Sequence, residues 1–350
     1  MQATLHIGTE KTGTKTLQEF LHCNRNRLLE QGILYTRSFG LRNNQKLALF
    51  GYEADRRDDV TIRAGIDSDE SMQAVKEELL GLLADEVDAS GCDRVLFSSE
   101  HLQSRLRSRE DIERLRSALS GIGLHVSEVI VYLRDPVSIC RSLHASSVAT
   151  GSVARRPPPP DSIYFSTVCD HRRTLTTWAD VFGPESILPR LFERETMLGK
   201  SVMDDFCQVA GIDITDDYMR PADQNESLSQ LAVELLSRVN VAVPRIRDGK
   251  IDNNRKALVD LIRRHCSGPS YSPPTSLLEQ YRKYYADSNE WVRRHYFPER
   301  ETLFMEAPSV SPGVVGASEM ELDVIADLIV SIWRLDRSAE VQGGSGSDRV

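Results

Sequence analysis

Paired cysteine motifs are missing from this chain. Its six cysteines (Cys23, Cys92, Cys140, Cys169, Cys207, Cys266) are scattered, with no Cys-x-x-Cys and no zinc spacing. That excludes a zinc ribbon or a disulfide scaffold and leaves reduced thiols in a cytoplasmic protein as the expectation. No apolar run is long enough to cross a bilayer, so no integral membrane segment is expected. Charged Glu10, Lys11 and Lys15 interrupt the first twenty residues, so no signal peptide is expected either. Internal repeats are absent. Positive charge is in deficit: the net charge of −9 argues against nucleic acid or an anionic membrane as partner. A polyanionic cofactor stays open, because its site needs only a local cluster of cations.

What is present has the composition of a globular protein, 40% hydrophobic and 27% charged over 350 residues. The stretch Leu5-His6-Ile7-Gly8-Thr9-Glu10-Lys11-Thr12-Gly13-Thr14-Lys15-Thr16-Leu17-Gln18 reads as a buried strand, a Gly/Thr/Lys loop and a helix start. Leu17, Phe20, Leu21 and Leu28 recur at helical spacing, with Gly32 as the stop. A loop between such a strand and helix aims backbone N–H groups at one spot, where the helix dipole adds positive charge. It is built to hold an anion. Thr12, Thr14 and Thr16 add hydroxyls; Lys11 and Lys15 add full charges.

The nucleotide-binding P-loop needs Gly, four residues, then Gly-Lys-Ser/Thr. Gly8 and Gly13 have that separation, but Thr14 follows Gly13 and Lys15 comes one place late. Lys11, inside the loop, is the better-placed lysine.

Further along, Met72 to Val87 predicts an amphipathic helix. Arg94 to His101 predicts a buried strand ending in a polar cluster, Ser98-Ser99-Glu100-His101. Ile112 to Gly121 predicts a helix, and Val126 to Leu133 an apolar strand ending in Arg134-Asp135-Pro136. Strands alternating with helices indicate a parallel α/β sheet. Ligands of such sheets sit beyond the carboxyl ends of the strands, where the loop at 8–16, the cluster at 98–101 and Arg134 would meet.

Ile33-Leu34-Tyr35 reads as a short strand, and Tyr52 to Asp69, rich in Asp and Arg, as a solvated, lid-like segment. Pro157 to Pro160 make a stiff break. Phe165 to Trp178 reads as helix, Ile187 to Phe192 as a strand in which Pro189 favours an edge or a bulge, and 197–210, 227–239 and 253–266 as helices. Tyr281 to Tyr296 reads as a helix capped at Asp287 or Ser288, and Glu319 to Trp333 as the last helix. The expected organisation is one domain over 1–335, with a core at 1–215, a Pro-rich break at 155–160 and a mainly helical part at 216–335. A disordered tail is expected over 336–350.

Gly-x-x-Lys-Thr-Gly-Thr after a first strand resembles the 5′-phosphosulfate loop of sulfotransferases that use 3′-phosphoadenosine 5′-phosphosulfate (PAPS). The family's other hallmark is an arginine at a strand end with a serine eight residues on, and Arg134 and Ser142 have that spacing. The runs Trp178 to Glu195 and Asp287 to Phe297 are similar to segments of bacterial, carbohydrate-sulfotransferase-like members. Lys15 departs from the pattern, since many members have Ser or Thr there.

The resemblance implies a P-loop-like three-layer α/β/α fold with a central parallel sheet and helical insertions. It also implies transfer of a sulfuryl group from PAPS to a hydroxyl or amine of a glycan or small metabolite, without a metal. Lys11 would meet the bridging oxygen, and Thr12, Gly13, Thr14, Lys15 and Thr16 the 5′-phosphate. Arg134 and Ser142 would meet the 3′-phosphate. Glu100 would be the base, with His101 as its rival. A P-loop kinase or NTPase, or a non-catalytic nucleotide binder on the same fold, are the alternatives. Acceptor choice is expected in loops at 36–70, 145–165 and 240–280.

Overall fold

Residues 1–222, 227–247, 250–252, 255–305 and 318–343 are described by a computed structural model of the chain. Strand residues alternate between two apolar layers, and that alternation defines the architecture. Elements run β1 (Gln2–His6), α1 (Thr14–Cys23), α2 (Arg25–Glu30), β2 (Ile33–Tyr35), α3 (Asp59–Arg63), α4 (Asp69–Ser90) and β3 (Arg94–Ser98). Then come α5 (His101–Arg105), α6 (Arg109–Gly121), β4 (His125–Leu133), α7 (Pro136–Ala149), α8 (Ile163–Cys169), α9 (His171–Phe182) and β5 (Ile187–Leu191). The remainder is α10 (Val202–Val209), α11 (Gln230–Ala242), β6 (Ile246–Arg247), β7 (Lys250–Ile251), α12 (Arg255–His265), α13 (Thr275–Tyr296) and α14 (Glu319–Gly343).

The five-stranded sheet has the order β2-β3-β1-β4-β5, and every pair is parallel. Leu5, Ile7, Val95, Phe97, Val129, Val131 and Leu133 face one layer, packed against residues of α4, α6 and α9. Leu96, Ile130 and Tyr132 face the other, with Leu17, Phe20 and Leu21 of α1 and Phe206 of α10. This is the expected three-layer α/β/α arrangement around a central parallel sheet. Such strands, buried on both faces, read as near-continuous apolar runs. Each fully buried Leu, Val, Ile or Phe is worth roughly 1.5–3 kcal/mol.

The chain divides into two compact units. One comprises Met1–Ile139, Pro160–Gln224 and Lys283–Glu306; the other comprises Cys140–Pro159, Asn225–Arg282 and Ala307–Val350. The first holds the sheet. In the second, Ala145 and Val148 pack with Leu236, Val239, Leu258, Ala326 and Val330 in a separate helical core. There Arg238, nearly buried, bonds Glu234 and Asp323 at 2.8 Å each.

Several expectations needed correction. The helix read from Leu17 through Leu28 breaks at Asn24, whose amide donates to Phe20 O and Met219 O at 2.8 Å each. A side chain that bonds the backbone in this way competes with helix continuation. Tyr52 to Asp69 is folded, not a solvated lid: Asp58 caps α3, and Tyr52, Val60 and Ile66 are buried core anchors hidden among charges. Phe165 to Trp178 spans two helices, α8 and α9, because Asp170 caps α9 through Arg173 N. No cap sits at Asp287 or Ser288, since α13 already starts at Thr275; Ser288 Oγ instead donates to Asp170 Oδ1 at 2.7 Å.

Ile33–Tyr35 forms the expected short strand and pairs along β3, and β5 forms the edge beyond β4, with Pro189 opposite Val131. The Pro-rich break is clamped: Tyr281 donates to Pro158 O at 2.9 Å and Tyr285 to Pro160 O at 2.6 Å. Of the tail expected over 336–350, residues 336–343 continue α14 and are not disordered, and residues 344–350 lie outside the described residues. Among the described residues, no helix is long and apolar enough to cross a membrane.

Candidate functional site

β1 delivers the loop at 8–13 to the carboxyl edge of the sheet, and its neighbours fix it there. Ile7 N donates to Ile130 O at 3.0 Å, and Tyr132 N to Gly8 O at 2.6 Å. Thr9 then donates both its N–H and its hydroxyl to Tyr132 O, at 3.0 and 3.1 Å. The loop is therefore stitched to β4. Gly8 (φ 102°) and Gly13 (φ 73°) bear positive φ without steric cost, while Lys11 (φ 66°) bears it with a side chain. The left-handed conformation costs a non-glycine residue about 1–2 kcal/mol, and such strain collects at functional sites.

Room is tight at both glycines. A Cβ on Gly8 would lie 3.0 Å from Glu100 Cα, and one on Gly13 would lie 3.1 Å from the Phe192 ring. Glu100 therefore abuts the loop directly.

α1 opens at Thr14 with no side-chain cap, and its first intrahelical bond runs from Leu17 N to Gly13 O. The N–H groups of Thr14, Lys15 and Thr16 are left without helical partners. Thr14 and Thr16 are buried, and their hydroxyls make no hydrogen bond among the described residues. These unspent donors fit a phosphate. Thr12, by contrast, donates its hydroxyl to Thr9 O at 2.6 Å, which leaves its backbone N–H for a ligand. Lys15 is exposed, whereas Lys11 is half-buried. Burial lowers the Lys11 pKa; Glu10 opposes that, Lys15 adds to it, and smaller contributions come from Glu100 (raising) and Arg134 (lowering).

Arg134 comes from the end of β4 and reaches back to this loop, its Nη1 donating to Lys11 O at 2.6 Å. Its guanidinium carbon stands 5.6 Å from the Phe192 ring centre, and its carbonyl accepts from the buried His171 Nε2 at 2.8 Å. Asp135 accepts from Val137 N and Ser138 N, at 3.3 and 3.0 Å, and so starts α7. Ser142 is half-buried on α7, six residues beyond Pro136, and belongs to the second unit.

Glu100 Oε2 accepts from Gln18 Nε2 at 2.9 Å and Asn43 Nδ2 at 3.0 Å. Its Oε1 accepts nothing among the described residues. His101, half-buried on the first turn of α5, has an Nδ1 that is buried and unpartnered. His6 is a core histidine bonded to Ser98 Oγ at 2.8 Å, and burial pushes its pKa down to about 4 against a smaller opposing effect of Glu100. Lys11, Glu100 and Arg134 are thus brought together.

Sequence reasoning missed the supports. Gln18 and Asn43 hold Glu100, His171 and Phe192 hold Arg134, and Tyr164 donates to Glu10 Oε1 at 2.5 Å. Phe192 lay within a recognised run, but Asn43 and Tyr164 carry no local pattern. Among the described residues, no group of three or more His, Cys, Asp or Glu is arranged to hold a metal ion. A surface hollow lined by Phe50, Lys76, Glu77 and Arg114 contains none of the site residues.

No family model matches the chain, and no curated protein matches it. Among solved structures it is similar to a sulfotransferase from Alicyclobacillus acidocaldarius at 18% identity, with 73% of this chain and 95% of that chain covered and a TM-score of 0.36.

Proposed function

We propose that the protein is a PAPS-dependent sulfotransferase. The observation that carries this reading is the bond from Arg134 Nη1 to Lys11 O, at 2.6 Å. It brings Arg134, at the end of β4, onto the loop after β1 that carries Lys11, as a nucleotide with phosphates at both its 3′ and 5′ positions would need. PAPS supplies an activated sulfuryl group when bound. The amides and hydroxyls at Thr14 and Thr16 hold its 5′-phosphate. Lys11 neutralises charge on the leaving phosphate oxygen as the S–O bond breaks. Arg134 binds the 3′-phosphate. Glu100, oriented through Oε2 by Gln18 and Asn43, takes the acceptor proton on Oε1 as the new S–O bond forms. The exposed position of Lys15 counts against the kinase alternative, which needs a lysine directly after the second glycine.

The test is a thermal-shift series with adenosine 3′,5′-bisphosphate in EDTA beside Mg-ATP. Ligand at about 100-fold over its Kd should add about 2.7 kcal/mol. Stabilisation by the bisphosphate alone supports the proposal. Stabilisation by Mg-ATP alone overturns it.

A further inference from the structure

A cluster of arginines stands next to the donor loop, on its Glu10 side, and one of them lacks a counter-charge. Tyr164, on α8, bonds Glu10, the residue before Lys11. Burial and then Glu10 raise the Tyr164 pKa, and Arg105 is close enough to oppose them. Arg105 closes α5, the helix that starts beside Glu100. It pairs with Asp59 at 2.8 Å, yet its Nε is buried without a hydrogen bond. Arg56 lies over the Tyr52 ring at 3.9 Å from its centre, and is 3.9 Å from Asp58 and 4.0 Å from Asp111. Arg114 holds Asp111 more closely, at 2.5 Å.

Arg107 completes the group. It is half-buried, its Nε reaches only Ser104 O at 3.3 Å, and no carboxylate pairs with its guanidinium among the described residues. Burial lowers its pKa first, then the like charges of Arg56 and Arg105; Tyr164 and Tyr52 act the other way. Arg56 lies within 4.0 Å of Asp58 and Asp111, and Arg105 within 3.9 Å of Asp58 and Asp59, whereas the Arg107 guanidinium has no such carboxylate among the described residues. A partly buried guanidinium without a counter-ion is costly unless a ligand provides one, and its planar fork matches an oxyanion.

We infer that the acceptor carries an oxyanion, a carboxylate or a sulfate ester, received by Arg107 beside Arg105 while its hydroxyl faces Glu100. This rests on the sulfuryl-transfer reading. Two of the loops expected to choose the acceptor, at 36–70 and 145–165, supply Arg56 and Tyr164.

Protein saturated with adenosine 3′,5′-bisphosphate is titrated calorimetrically with methyl glucoside, methyl glucuronide and methyl glucoside 6-sulfate. At least one charged probe should bind about tenfold or more tightly than the neutral one, since a charge-assisted contact is being added. Arg107→Gln should abolish the preference, and Arg107→Lys should keep part of it. Whichever charged probe wins identifies the oxyanion. Equal binding of all three, no binding of any, or a preference that survives in Arg107→Gln overturns the inference. Bisphosphate binding, read first on each protein, shows that the variants are folded. Its failure in the wild type would overturn the sulfotransferase reading instead.

Discussion

Replacing Arg134 with methionine separates its two roles, because the resting molecule and the nucleotide complex use different partners. In the resting structure its guanidinium makes one bond to a neutral carbonyl, Lys11 O at 2.6 Å, and lies 5.6 Å from the Phe192 ring centre. That bond has an ionised donor and contributes about 1.5–3 kcal/mol, and the cation–π contact adds about 0.5–1 kcal/mol. Arg134→Met should therefore cost about 2–4 kcal/mol of stability, which a domain with a margin of roughly 5–15 kcal/mol survives. Against a 3′-phosphate a charge-assisted bond is lost as well, so bisphosphate affinity should fall roughly 10- to 150-fold. Adenosine 5′-monophosphate has no 3′-phosphate and should lose little. Calorimetric titration of both nucleotides into both proteins closes a double cycle, whose coupling term isolates the 3′-phosphate. If both affinities drop by the same factor, Arg134 acts only by bracing the loop through Lys11, and the proposed cofactor geometry is wrong.

Glu100→Gln should keep bisphosphate affinity and lower turnover by about 10²–10⁴-fold; unchanged turnover would shift the base to His101. Gly8→Ala forces a Cβ to within 3.0 Å of Glu100 Cα at φ 102°, so bisphosphate binding should weaken and stability fall by about 1–3 kcal/mol. Urea midpoints and titration would detect both effects. His6 has a folded pKa of about 4 against an ordinary 6.5, so the unfolded chain binds more protons between those values. Stability is then present above pH 6.5 and is lost as pH falls towards 4. Integrating the linkage gives a loss of about 2 kcal/mol from pH 7 to pH 5, which His6→Gln should largely remove; an unchanged slope would assign it to other groups. The buried His171 and His144, both shifted down by burial, act in the same direction.

The sheet was legible because its strands are buried on both faces. Val129 to Leu133 has no polar break, which suits a central strand, and Pro189 pointed to an edge or a bulge, of which the edge is what forms. The loop was legible through Gly8 and Gly13, whose positive φ few other residues tolerate. What escaped depends on partners distant in sequence. Asn24 ends a helix partly because Met219 O awaits it, and Tyr52 is a core residue only because Asp58 and Lys76 take up the polar atoms around it. Periodicity in a charged segment such as 52–69 cannot show which side chains find an apolar layer.

The same distinction explains why Lys11 and Arg134 could be named while their supports could not. A charge at a strand's end has few places to go, since the parallel sheet gathers all such ends on one edge. The groups that aim it have many. Asn43 on Glu100 and His171 on the Arg134 carbonyl arrive from loops and helices whose own sequences have no need of the site. Exchanging those supports should therefore change how well the charged groups are aimed and leave their identity intact. Asn43→Ala makes this measurable, since Gln18 still holds Glu100 Oε2 at 2.9 Å and one of two neutral-donor bonds is lost, about 1.5–3 kcal/mol for a charged acceptor. Turnover should fall roughly tenfold or more while bisphosphate affinity stays level. Equal losses in both would mean that Asn43 shapes the loop as a whole and not Glu100 alone.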